Sequence, residues 1–206
     1  ELVKIDPKAI GVGQYQHDVD QGALHKALDL AVTLCVNTVG VHLNTASRPL
    51  LTYVSGLGPA LAARIIDYRT EHGPCRSRRQ LLDVPRLGAK AYEQCAGFLR
   101  IPDADNPLDN TAVHPESYDA ASKLLEICGY TMADVKAGKL SDLKQRLDNY
   151  GVARAAEACG VGEPTLRDIA AELLKPGRDP RDELPPVLLR QDVLEIKDLK
   201  PGMVLT

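Results

Sequence analysis

An all-α fold is what the sequence predicts, and three observations carry the prediction. Aromatic residues make up only 4 % of the chain, with no Trp and a single Phe, so the core must be aliphatic and Ala-rich, which suits packed helices better than a sandwich. Apolar residues recur at spacings of 3 and 4 through most of the 206 positions, the period of a helix with one buried face. Two copies of one local plan stand 30 positions apart, Val54-Ser55-Gly56-Leu57-Gly58-Pro59-Ala60 and Val84-Pro85-Arg86-Leu87-Gly88-Ala89-Lys90. In each, an apolar residue leads into a tight turn and an amphipathic helix leaves it.

The elements follow in order. Residues 1–18 mix Gly, Pro, Gln and His without periodicity and read as a leading linker; Gly11-x-Gly13 lacks the preceding strand that a phosphate loop needs. Leu24, Ala27, Leu28, Ala31, Val32, Cys35, Val36 and Val39 predict a long helix over 21–40 with one buried face, stopped by Gly40. Ser47 suits the cap of a helix over 48–54. The first turn opens a helix at Pro59 that closes at Gly73-Pro74, and Ser77 with Gln80 forms a capping box for a short helix to Asp83. The second turn opens a helix to about Phe98. Residues 19–101 therefore form one domain in which each repeat reads helix, hairpin, helix.

A Pro- and Asp-rich stretch, 102–113, is the expected linker. A second small helical domain is expected over 114–184: a helix from Pro115 to a stop at Gly129, a short one capped by Thr131 and Asp134, further ones around Leu143 and Ala156, and a last one from Pro164 to Leu174. Gly160-Val161-Gly162 before that last helix is a degenerate third hairpin. Glu163 with Glu157, Asp168 and Glu172 makes it a structural corner, because carboxylates would repel a phosphate. Residues 185–206 read as a further linker and extended tail, with short strands at Val193-Leu194-Glu195-Ile196 and Met203-Val204-Leu205.

The turns carry the chemistry. Gly56 and Gly58 leave the backbone bare, and Pro59 suits a first helical turn because its missing N–H has no partner there anyway. Free amides and the positive end of the helix dipole attract an anion, and a phosphate diester is the extended anion that fits. These residues resemble the tandem helix-hairpin-helix (HhH) fold of sequence-nonspecific nucleic-acid binders. The expected contacts are Gly56, Leu57, Gly58, Ala60 and Arg64 from the first hairpin, and Arg78, Arg79, Arg86, Leu87, Gly88 and Lys90 around the second. Arg86 stands where many HhH motifs place their first Gly, so a charged side chain takes the place of a bare backbone there.

Charge is distributed to match. The whole chain is at −3, yet residues 48–100 hold nine basic side chains against four acids, leaving −8 on the remainder. The five cysteines, Cys35, Cys75, Cys95, Cys128 and Cys159, are odd in number, widely spaced and without a C-x-x-C pair, which predicts reduced core thiols. His72 with Cys75 is the one candidate metal pair and is too sparse for a site, so no metal or cofactor is expected. With no signal peptide or long apolar run, a cytoplasmic protein with no membrane contact is expected. The start without Met and the end at Thr206 suggest a piece of something longer.

Ile10-Gly11-Val12-Gly13-Gln14-Tyr15-Gln16-His17-Asp18, the connector from Val36-Asn37 to Ala46-Ser47, the two hairpins and Thr111-Ala112-Val113-His114-Pro115-Glu116-Ser117-Tyr118 look like the Tex family of bacterial transcription accessory proteins. The resemblance covers essentially the whole chain. It implies a position between an RNase-H-like YqgF domain and an OB-type RNA-binding domain, whose start residues 192–206 resemble. It implies a non-enzymatic scaffold binding the backbone of DNA and/or RNA, with the transcription machinery and the neighbouring domains of the full-length protein as further partners. Two other functions compete. In HhH base-excision glycosylases a lyase lysine stands where Lys90 does and a catalytic acid near Asp109, but base flipping needs a pocket, usually aromatic, and aromatics are few here. The other is a docking scaffold that holds domains or proteins together without touching nucleic acid.

Overall fold

A computed structural model describes residues 5–174 apart from Val12. The expected tail, its two strands and the start of an OB-type domain lie outside the described residues. What is described is helical throughout save for one short pairing. The chain opens with a 3-10 turn, Pro7–Ile10, capped by Asp6, and continues into α1, Gln21–Val39. The first repeat is α2, Arg48–Leu51, and α3, Pro59–His72. The second is a 3-10 turn, Arg78–Asp83, and α4, Ala89–Cys95. Five further helices follow: α5, Tyr118–Ile127; α6, Met132–Lys136; α7, Leu143–Tyr150; α8, Val152–Cys159; and α9, Glu163–Leu174.

The caps anticipated at Ser47, Ser77 and Thr131 form: each side chain accepts a backbone N–H, and Gln80 and Asp134 complete two capping boxes. The Ser77 box opens a 3-10 turn rather than an α-helix, and α2 ends at Leu51 because i→i+3 bonds from Tyr53 and Val54 tighten the chain into the hairpin. Strands β1, Val41–His42, and β2, Leu99–Arg100, pair in parallel. They bring the chain just after α1 beside the end of the second repeat, and two residues each are too short to leave a period in sequence.

Two hydrophobic clusters form the interior. One runs from Val36 to Ala104 and takes in Leu57 and Leu87 from the hairpins; the other runs from Leu108 to Leu173. The stretch expected as linker, 102–113, is well packed. Leu108, Asp109, Thr111 and Val113 are buried in it.

The long helix departs from expectation. Of the face expected to be buried only Val36 is; Leu24, Leu28, Val32 and Val39 are half-buried and Ala27, Ala31 and Cys35 exposed, while Leu30 and Leu34 on the other side are 64 % and 59 % exposed. Its first turns are braced by the Pro7–Ile10 turn, through Lys8 Nζ donating to Asp29 Oδ1 at 2.7 Å, and a helix touched along one narrow line cannot bury a full face.

Candidate nucleic-acid interface

Both hairpins are the same turn. The Leu57 amide donates to the Val54 carbonyl and the Leu87 amide to the Val84 carbonyl, each at 3.0 Å. The third residue of each turn has positive φ, +80° at Gly56 and +66° at Arg86. Positive φ at the third position alone is the signature of a type II turn, for which Pro85 is a favoured second residue. Gly56 is required on two counts: its φ, and the position a Cβ would take 2.6 Å from Gln94 Cβ and 3.2 Å from the Ala91 carbonyl. Arg86 is the one described non-glycine residue with positive φ.

The repeats face each other across an approximate two-fold. Gln94, eight positions past Arg86, packs on Gly56. Arg64, eight positions past Gly56, donates through Nη1 to the Pro85 carbonyl at 3.0 Å. Each helix thus supports the other repeat's turn. A further clamp comes from Asn37 of α1, whose Oδ1 accepts from the Ser55 amide at 3.0 Å while Nδ2 donates to the Tyr53 carbonyl at 3.1 Å.

After each turn the chain enters a helix through an extended Gly, Gly58 before α3 and Gly88 before α4, neither with a side-chain cap. The first intrahelical bonds run from Ala62 to Gly58 and from Tyr92 to Gly88. The amides of Gly58, Ala60 and Leu61, and of Gly88, Ala89, Lys90 and Ala91, therefore have no acceptor among the described residues, as the first turn of a helix dictates. Neither Gly58 nor Gly88 has positive φ, and a Cβ built on either meets nothing within 4 Å. Nothing inside the molecule asks for glycine at these two exposed positions.

Several expected contacts change role. Leu57 and Leu87 spend their amides inside the turns and their side chains in the core, so they cannot donate to a ligand; the Leu61 and Ala91 amides, which sequence reading passed over, take that place. Counting open amides forward from each capping Gly is the signal that finds them. Arg78 is corrected outright. It is 1 % exposed, with Nε on the Leu99 carbonyl at 2.7 Å, Nη1 on the Val113 carbonyl at 2.8 Å and Tyr118 Oη at 2.7 Å, and Nη2 on the Thr111 carbonyl at 2.5 Å. A guanidinium so enclosed cannot reach a phosphate.

The other cations divide in the same way. Arg100 is buried beside Gly40, and burial pushes its guanidinium down to about 10. Arg69 donates to the carbonyls of Leu43 and Ala46, and Arg76 pairs with Asp105 at 3.1 Å. Arg79, Arg86 and Lys90 are exposed, with no side-chain hydrogen bond or ion pair among the described residues. Asp67, Glu71 and Asp83 share a groove of about 690 Å³ with Arg64, Tyr68 and Pro85, and the fourth acid of this region, Glu93, is exposed on α4.

Asp109 is a structural acid. It is buried, its Oδ2 accepting from the Arg78 amide at 3.2 Å and its Oδ1 from Tyr118 Oη at 2.6 Å, whereas Lys90 is exposed. The Tyr118 phenol is pushed up, chiefly by burial. All five cysteines are free and all but Cys35 are buried; burial pushes the Cys95 thiol up to about 12. His72 stacks on Tyr68 at 4.4 Å, and no group of three or more His, Cys, Asp or Glu side chains among the described residues is placed to hold a metal ion. No described helix is long and apolar enough to cross a membrane.

Paired type II turns feeding open helix starts define a tandem helix-hairpin-helix protein, and comparison with known families agrees. Residues 36–100 match the family described as helix-hairpin-helix motif, and residues 106–181 match the HHH domain family. Among curated proteins the whole chain aligns with the transcriptional accessory protein Tex of Neisseria gonorrhoeae and with YhgF of Escherichia coli, each at 50 % identity. It also aligns with the human S1 RNA-binding domain-containing protein 1 at 34 %. The chain spans about a quarter of the length of these relatives, 26 % in each case. Over its whole length it is similar to the proteins named Tex and YhgF, at about 50 % identity.

Proposed function

We propose that this chain is a non-enzymatic, sequence-nonspecific nucleic-acid-binding unit that serves a cytoplasmic transcription accessory factor. It grips a DNA and/or RNA backbone at two successive sites, and the transcription machinery and the rest of a longer protein are its further partners. At the first site the Gly58, Ala60 and Leu61 amides hold a phosphate. At the second the Gly88 to Ala91 amides do so, with Arg79, Arg86 and Lys90 supplying Coulomb attraction. Contacts to phosphate carry no sequence information.

The observation that carries this reading is the pair of glycines, Gly58 and Gly88, at equivalent exposed positions where neither φ nor packing calls for them. A ligand approaching the backbone supplies the missing reason. Replacing both by Ser tests it. Serine is at least as good an N-cap as glycine, so stability holds or rises by a few tenths of a kcal/mol, while the new side chains obstruct the phosphates and affinity for a duplex or single strand falls about tenfold or more. Unchanged affinity in the folded double variant contradicts the proposal.

A second reading, a docking scaffold, is favoured by the bare Leu30 and Leu34 on α1. It excludes direct contact with nucleic acid, so the affinity of the Gly58→Ser, Gly88→Ser variant separates it from the first.

A further inference from the structure

The second domain holds a feature that the hairpin chemistry leaves unused. The Arg146 guanidinium carbon lies 4.4 Å from the centroid of the Tyr130 ring, and that of Arg154 lies 5.1 Å from the Tyr150 ring. Arg146 and Tyr150 are four positions apart on α7, hence on one face. The four side chains therefore run as an alternating stripe, Tyr130, Arg146, Tyr150, Arg154, across the α5–α6 junction, α7 and the start of α8. Arg146 is fixed from below by donating Nη1 to the Cys128 carbonyl at 2.8 Å. Tyr150 is 37 % exposed, and Arg146 and Arg154 are exposed.

We propose that this stripe is a stacking surface for the unpaired bases of a single-stranded nucleic acid. Aromatic rings and guanidinium planes both stack on bases, every base offers a π-face, and the arginines meet the adjoining phosphates. A duplex hides those faces in its own stack, so it gains from the hairpins alone. This inference rests on the nucleic-acid reading above and names the form of ligand that the second domain prefers.

The test is fluorescence anisotropy on the whole chain with labelled single strands of DNA and of RNA, about 20 nucleotides long, and a duplex of equal length. Tyr150→Ala is expected to weaken single-strand binding about tenfold and duplex binding by less than about twofold, while Tyr150→Phe binds like the parent. Single-strand affinity unmoved by Tyr150→Ala, or an equal loss on both forms, overturns the stripe: its pairs would then be staples of the α7–α8 corner. If the Gly58→Ser, Gly88→Ser variant loses affinity while Tyr150→Ala does not, the hairpin reading stands and the stripe alone falls; a parent chain that binds none of the probes sinks both. A second measurement needs no variant. Photocrosslinking of 5-iodouracil strands to the parent chain should place adducts on Tyr150 or Tyr130, and adducts confined to other residues contradict the proposal.

Discussion

Arg86 holds a backbone conformation that costs an L-residue with a Cβ about 1 kcal/mol. Its counterpart Gly56 adopts the same φ for nothing, and there a side chain would strike Gln94. The equivalent space beside Arg86 is open to solvent, so the second hairpin tolerates a residue that the first cannot. Arg86→Gly is accordingly expected to stabilise the fold by up to about 1 kcal/mol in urea unfolding. The same change removes a cation from the interface, so affinity for a single strand or duplex falls and the slope of log K against log salt shrinks by about 1. A variant that loses stability would show the positive φ to be unstrained. One that binds as before would remove Arg86 from the interface.

Among the elements, the junction of the two domains rests on Arg78. Its guanidinium gathers carbonyls from residues 21 to 35 positions away, and its own amide meets Asp109. His114 adds a strut, its Nδ1 accepting the Glu116 amide while Nε2 lies 2.8 Å from the Glu93 carbonyl of α4. Arg78→Met leaves three buried carbonyls and the Tyr118 hydroxyl without the guanidinium N–H groups that meet them, and a loss of about 3 kcal/mol or more is expected by denaturant unfolding. A loss below about 1 kcal/mol would mean that water or neighbours replace the guanidinium. The hairpins, caps and most helices were legible in the sequence because each is written locally: Gly before Pro59, Ser77 three residues ahead of Gln80, apolar steps of 3 and 4. Arg78 was not, because an arginine beside Arg79 in an exposed-looking turn is buried only by carbonyls that arrive from two distant segments, Leu99 and 111–113. The shallow burial of α1 was equally hidden, since periodicity says which side is apolar and not how deeply it is covered.

Across the whole molecule the surplus of basic residues between 48 and 100 divides between two uses. Arg78 and Arg100 go inside, Arg69 and Arg64 tie loops together, and Arg79, Arg86 and Lys90 remain on the surface with the open helix starts. Three of the four acids, Asp67, Glu71 and Asp83, line one groove, and Glu93 stands exposed on α4. A chain at −3 overall thus keeps three cations, unpaired among the described residues, beside the hairpins, and on the proposed reading association there releases counterions from the strand. The most direct measurement is the affinity of the whole chain for one labelled strand across a salt series, set beside Arg79→Glu, Arg86→Glu, Lys90→Glu in the same buffers. With roughly four to six phosphates neutralised, affinity should fall on the order of a hundredfold between low and physiological salt, and the triple variant should bind weakly with a much shallower slope. Affinity indifferent to salt, or untouched by the three reversals of charge, would contradict the grip and leave the molecule a spacer between other domains.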